Sequence, residues 1–155
     1  TGRATTSVSA LSEGIFWDFK QDALSPDVMQ HFGFDESLIP IVQPVFSEHG
    51  ILSRSVAQSL GLKEGIPVTY KSGDQPNNAL SLNVLQPGEV AATAGTSGVI
   101  YGVTDNLMFD PQSRVNTFAH VNYKGDDKRM GMLLCINGTG ILNNWVKQTM
   151  AHGTR

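Results

Sequence analysis

Cysteine is almost missing from this chain. The one cysteine among 155 residues, Cys135, cannot form an internal disulfide and gives no zinc-ligand spacing, so a reducing compartment and a cytoplasmic location are expected. Charge is scarce as well: Asp, Glu, Lys and Arg make up 16% of the residues. Acidic side chains exceed basic ones, 14 to 11, for a formal net charge of -3. With no basic stripe to follow a phosphate backbone, nucleic-acid binding is disfavoured. No apolar run nears the roughly 18 residues that a membrane helix needs, so no spanning helix and no membrane partner are expected. His31, His49, His120 and His152 are scattered without ligand spacing, and no protein metal site is expected from them. The chain opens on Thr1 in a polar segment, without Met or a signal-like stretch, and reads as an internal piece of a longer protein.

Hydrophobic residues reach 40%, enough to support a core, while 16 Gly and 7 Pro imply many short elements. Residues 1–24, rich in Ser, Thr, Ala and Gly, read as loop with one brief strand or bend. Ser25 caps a short helix that starts on Pro26 and stops at Gly33. Leu38 to Pro44 is apolar but interrupted by two prolines, which suits a packed loop. Ser53 caps a second helix ending at Gly61, and Ile66 to Tyr70 reads as a buried strand. A helix is expected over roughly 76–84, with Pro76 in its first turn, where the missing N–H costs little. Gln86-Pro87-Gly88 is a strong break, and a domain boundary is placed near 86–89. Beyond it, Val90–Ala94 and Val99–Val103 form a hairpin, 104–117 a polar loop, His120–Tyr123 a strand edge and Met130–Ile136 a buried strand. The spacing of Ile141, Leu142, Trp145, Val146 and Met150 predicts a final helix. Cys135 and Trp145 are expected in the core. Trp17 reads as a core anchor or as the wall of a sugar site, and Glu13, Asp18, Asp126 and Asp127 are expected to face solvent.

Three segments can carry chemistry. Asp74 follows a strand and a glycine at the start of a helix, where free N–H groups favour a carboxylate and where α/β sheets collect ligands. It reads equally as a functional carboxylate or as an ordinary cap, and Gln75, Asn77 and Asn78 beside it as ligand contacts or as solvated polar groups. Gly95-Thr96-Ser97-Gly98 offers close backbone approach and two hydroxyls to an anion, yet lacks the Walker spacing and its lysine; a plain hairpin turn is the alternative. Gly138-Thr139-Gly140 stands before the last helix, either aiming N–H groups at a phosphate or packing tightly against a neighbouring strand.

The order of these pieces resembles the FGGY carbohydrate kinase family, and within it the xylulose kinases. The matching residues are Ser7 and Ser9 with Gly14 and Asp18, Ser25-Pro26-Asp27-Val28-Met29, Leu38-Ile39-Pro40, and Gly50-Ile51-Leu52. They continue with Gly61-Leu62 before Gly65-Ile66-Pro67-Val68, Gly73-Asp74-Gln75, Gly95-Thr96-Ser97-Gly98, and Gly138-Thr139-Gly140 before Trp145. The resemblance implies an α/β, ribonuclease H-like, actin-like ATPase fold. Residues 1–88 would be the end of the first, sugar-binding domain, and 89–155 the start of the second, ATP-binding domain. It implies Asp74 as catalytic base, Asp74 and Gln75 as sugar contacts, and Gly95, Thr96, Ser97 and Gly138 as contacts to the ATP phosphates. It implies ATP and Mg2+ as cofactors, D-xylulose as the sugar, and an isolated stretch that is inactive until the rest of the kinase completes the cleft. A homodimer stays open. Pro76 departs from the Gly-Asp-Asn-Ala-Ala or Gly-Asp-Gln-Gln-Ala forms frequent in the family, and the Asp-x-Gly-Thr phosphate loop is absent. Ribulose, gluconate, rhamnulose or glycerol are alternative substrates, and a non-catalytic actin-like or sugar-binding module is the more distant alternative.

Overall fold

The computed structural model describes residues 1–150. In chain order the first half carries β1 (Thr5–Thr6), α1 (Val8–Glu13), β2 (Trp17–Asp18), β3 (Ala23–Leu24), α2 (Pro26–Phe32), β4 (Ile41–Val42), β5 (Gly50–Ile51), α3 (Arg54–Leu60), β6 (Pro67–Val68) and α4 (Asp74–Ser81). The second half carries β7 (Val90–Ala94), β8 (Gly98–Thr104), β9 (Asn116–Ala119), β10 (Met130–Ile136) and α5 (Thr139–Met150). The strands of the first half pair only in twos: β1 with β4 in parallel, β2 with β3 and β5 with β6 antiparallel. The second half builds one antiparallel sheet in the order β7-β8-β10-β9.

Two helices form where their caps predict. The Ser25 hydroxyl accepts from Val28 N at 3.4 Å to open α2, and Gly33 closes it at a left-handed φ of 64°. Gly61, at φ 65°, closes α3 in the same way, but Ser53, expected to cap its start, stands there without a side-chain hydrogen bond to the first turn. By contrast, α1 lies in the stretch expected to be loop. Its cap is Ser7, accepting from Ala10 N at 3.3 Å, and its buried residues are Ser9, Leu11 and Ser12. The face is held by hydroxyls: Ser12 Oγ donates to Ser9 O at 2.7 Å and accepts from Ala119 N of β9 at 2.9 Å. A helix that docks through serines leaves no hydrophobic period to read.

The core gathers Ala79 of α4 and Val84 with Ala91, Tyr101, Val103 and Leu133 of the sheet, flanked by Val99 and Phe118. It therefore runs across residues 86–89. That break is a tight turn, in which the Glu89 carboxylate accepts from Leu85 N at 2.7 Å and Gln86 N at 2.8 Å, and Gly88 N donates to Val103 O at 2.9 Å.

Several expectations need correction. The strand expected over Ile66–Tyr70 shrinks to β6, and Val68 is 37% exposed rather than buried. Pro67 has no N–H to donate, and β5 is its only partner strand among the described residues. Val42 and Ile41 of the proline-bounded stretch are exposed rather than packed. The residues with helical spacing on α5 are all exposed, Trp145 at 55%, because nothing among the described residues covers that face. Cys135 is exposed as well. It shares a strand face with buried Leu133 but lies past the end of the packed cluster. His152 lies outside the described residues.

The strand edge expected over His120–Tyr123 is not formed there: the strand is Asn116–Ala119, starting inside the stretch expected to be a polar loop. One more rung follows, His120 N to Arg129 O at 2.9 Å, and then Tyr123 N bonds His120 O at 3.0 Å to close a turn. The His120 side chain is fully buried between the Tyr101 hydroxyl, 3.0 Å from Nδ1, and Val84 O, 3.0 Å from Nε2. Burial pushes its pKa below the usual 6.5 and pushes the Tyr101 phenol up. Because the folded value lies below the unfolded one, stability is full above the unfolded pKa and declines as pH falls below about 6.5. The urea midpoint of the intact protein should drop between pH 7.5 and 5.5, and His120→Gln should flatten that part of the dependence. An unchanged slope in the variant would assign the acid sensitivity to other groups.

Candidate active-site cleft

Asp74 is the first residue of α4, and its side chain is exposed. Gly73 precedes it as the N-cap and brings no side-chain acceptor. Pro76 sits buried in the first turn, where its missing N–H leaves no gap in the ladder. The free N–H groups of Asp74 and Gln75 are instead taken from another element. Glu13, the last residue of α1, accepts from Asp74 N through Oε2 and from Gln75 N through Oε1, both at 3.2 Å. Ser9 of the same helix accepts from Gly73 N at 3.3 Å and bonds the Ser72 hydroxyl at 3.0 Å. Glu13 therefore does not simply face solvent as expected: it is half-buried against the turn that carries Asp74. Burial raises its pKa above the usual carboxylate range, the two backbone donors lower it, and the Asp74 carboxylate raises it again. Asn77 is held by the Tyr70 hydroxyl, which donates to its Oδ1 at 2.9 Å.

The Gly95–Ser97 turn links β7 to β8, with Ala94 and Gly98 paired at its base. Gly95 N donates to Ser97 O at 3.0 Å. Gly95 and Thr96 are exposed, and the Thr96 and Ser97 hydroxyls make no hydrogen bond among the described residues. The turn rests on the start of α5: Gly140 N donates to Gly95 O at 3.0 Å, Ile141 N to Thr96 O at 3.2 Å, and Thr139 Oγ1 to Gly95 O at 3.2 Å. Of the two readings of Gly138-Thr139-Gly140, tight packing is the one seen for Gly140. A Cβ there would land on the Gly95 carbonyl, and the first N–H groups of α5 are spent on the turn. Gly138, at φ 103°, accepts from Leu142 N at 3.0 Å and does not line the cleft described next.

A cleft of about 470 Å³ lies between these two segments, lined by Gln75, Asn78 and Ser81 of α4 and by Gly95, Thr96 and Ser97 of the turn. Gln75 and the Gly-Thr-Ser turn, 20 residues apart and on different elements, thus meet in one place. Asp74 is Gln75's neighbour at the head of the helix. A second cavity, lined mainly by Val8, Trp17, Val42, Pro44 and Tyr123, is more apolar and touches none of these residues. Trp17 is half-buried at its wall. Among the described residues no group of three His, Cys, Asp or Glu side chains is arranged to hold a metal ion, and no helix is long and apolar enough to cross a membrane.

The fold that carries these segments is also found in solved carbohydrate kinases. A gluconate kinase from Lactobacillus acidophilus superposes with a TM-score of 0.85 at 17% identity, covering 96% of this chain and 29% of that one. The chain is similar to carbohydrate kinases of the FGGY family, xylulose kinases among them. The xylulose kinase of Streptomyces rubiginosus is 33% identical over 122 residues, 77% of this chain and 24% of the relative. A ligand-bound xylulose kinase from Lactobacillus acidophilus superposes with a TM-score of 0.86 at 18% identity over 99% of this chain and 31% of that one. The chain thus spans about a quarter to a third of the length of the kinases it matches. No protein-family model matches it.

Proposed function

We propose that this chain forms part of an ATP-dependent sugar kinase that converts D-xylulose to D-xylulose 5-phosphate in the cytoplasm. Residues 1–88 would serve the sugar side and 89–155 the nucleotide side. The observation that carries the reading is the shared cleft: the first turn of α4 and the Gly95–Ser97 turn line one cavity. In this reading Asp74 accepts the proton of the attacking primary hydroxyl. The hydroxyl oxygen forms a bond to the γ-phosphorus, the bond from that phosphorus to the bridging oxygen breaks, and ADP leaves. Gln75 would contact the sugar, while the Gly95 backbone and the Thr96 and Ser97 hydroxyls would approach the phosphates, with Gly138 nearby. A carboxylate suits the task because a loose transition state needs its proton accepted late, and positioning does most of the work.

The exposed turn, with two unpaired hydroxyls and glycine on either side, fits a phosphate group. Mg2+ would neutralise phosphate charge when bound, but the described residues do not by themselves make a site for it, and no step here runs through it. The choice of sugar rests on the xylulose kinase relative at 33% identity. A gluconate kinase fits the same fold with nearly the same TM-score, so the backbone does not favour either sugar. The test is ADP release by the full-length enzyme on a panel of xylulose, ribulose, gluconate, rhamnulose and glycerol. Xylulose is expected to give the highest kcat/KM. A higher value on another member would reassign the sugar, and silence on all five would remove the kinase reading.

A further inference from the structure

We infer that Glu13 is a positioning residue for Asp74, holding the head of α4 so that the backbone from which the Asp74 carboxylate departs stays fixed beside the cleft. The inference rests on the proposed role of Asp74. An α-helix begins with N–H groups that lack partners, and its first turn frays unless they are satisfied. Helices usually solve this with a side chain at the cap. Here the cap is Gly73, which has none, and Pro76 removes one donor outright. The remaining task falls to a residue 61 positions away in sequence, whose two carboxylate oxygens reach two successive N–H groups. Because one of those N–H groups belongs to Asp74 itself, the contact fixes the backbone from which the Asp74 side chain departs.

Gly73 explains why the cap has no side chain. Its φ of -68° and ψ of 163° suit any residue. The space its Cβ would fill is occupied by the Glu13 carboxylate, so even alanine would drive Glu13 out. Ser9, one turn earlier on α1, bonds Gly73 N and the Ser72 hydroxyl, so α1 grips four consecutive residues, Ser72 and Gly73 through Ser9 and Asp74 and Gln75 through Glu13. Placing a second carboxylate beside Asp74 is electrostatically unfavourable, and the charged neighbours that face Glu13 offer no relief. The groups that interact with it are Asp74 of α4 and the buried Tyr101 phenol of β8, and no Lys, Arg or His pairs with it among the described residues. A purely structural cap would be served by Ser or Thr at position 73 without that repulsion.

The experiment uses the full-length enzyme and steady-state kinetics of sugar phosphorylation. Glu13→Ala and Gly73→Ala should each lower kcat by about 10- to 100-fold while changing KM for ATP less than threefold, as expected when a reacting group is misplaced by a fraction of an ångström. The double variant should lose no more than either single one, since both remove the same contact. Glu13→Gln keeps the shape and one acceptor; it should recover part of the kcat lost in Glu13→Ala. Gly73→Ala, whose backbone tolerates the substitution, covers the case in which Glu13→Ala does not fold. Full turnover in folded Gly73→Ala, multiplicative losses in the double variant, or a kcat in Glu13→Gln no better than in Glu13→Ala would each overturn the inference. If Asp74→Asn also retains turnover, the reading of Asp74 as the base has failed; if Asp74→Asn is inactive while the Glu13 and Gly73 variants are normal, only the positioning role has.

Discussion

Asp74→Asn in the full-length enzyme is expected to reduce kcat by about 10³-fold, in the middle of the range for removal of a general base. Asparagine keeps the size of the side chain and can still accept a hydrogen bond from the sugar hydroxyl, but it cannot take the proton. The helix should be undisturbed, because the contact that fixes its head runs through the backbone N–H of residue 74 and not its side chain. ATP binding should persist within about threefold, since the Gly95–Ser97 turn and its seat on α5 are untouched. The measurement pairs initial rates with calorimetric titration of ATP. Turnover within tenfold of the parent enzyme would remove Asp74 from the chemistry and leave it as an ordinary residue of the first helical turn.

Gly140→Ala is the second substitution with a large expected effect. Gly140 has an ordinary negative φ, so alanine is allowed by its own backbone. The obstacle is across the interface: the new Cβ would land on the Gly95 carbonyl, with Thr96 Cα also only 3.5 Å away. Main-chain atoms cannot swing aside as a side chain does, so either α5 or the turn must shift. The hydrogen bonds from Gly140 N and Ile141 N would be lost together. KM for ATP should rise at least about tenfold, with KM for the sugar changing much less. Thr139→Ala removes one hydroxyl donor to the same carbonyl and should cost only about 0.5–1.5 kcal/mol of local stability. Parent-like ATP kinetics in Gly140→Ala would mean that the turn does not serve the nucleotide.

The elements that were legible in the sequence are those whose signals are local. Ser25 with Pro26 and Gly33, Ser53 with Gly61, the three-residue turn after Ala94 and the strand at Met130–Ile136 all announce themselves within a few residues. Asp74 and the Gly95–Ser97 turn are also marked by local chemistry, and the structure brings Asp74's neighbour Gln75 and that turn to one cleft. What stayed hidden depends on distant partners. Helix α1 buries serines that bond Gly73 and Ala119, so its inward face looks polar. Glu13 appeared to be a solvent-facing acid because nothing near it in sequence hints at a helix 61 residues later. A glycine in front of Asp74, where Ser or Asp would be the usual cap, was the one signal that could have prompted a search for an acceptor elsewhere. Cys135 and Trp145 erred in the opposite direction: apolar character was read as burial, and the packed cluster simply ends before it reaches them.

The buried imidazole between the two halves has a further consequence. Val84 O can only accept, so Nε2 of His120 must carry the hydrogen, and Nδ1 must be the bare nitrogen that receives the Tyr101 hydroxyl. The bridge is therefore polarised in one sense, from tyrosine through imidazole to a carbonyl that precedes the Gln86–Gly88 turn. A single ring tautomer, shielded from water, gives distinct nitrogen resonances and a slowly exchanging N–H. Spectroscopically, His120 is a resident indicator of whether the helix bearing Asp74 remains docked on the sheet that presents the Gly-Thr-Ser turn.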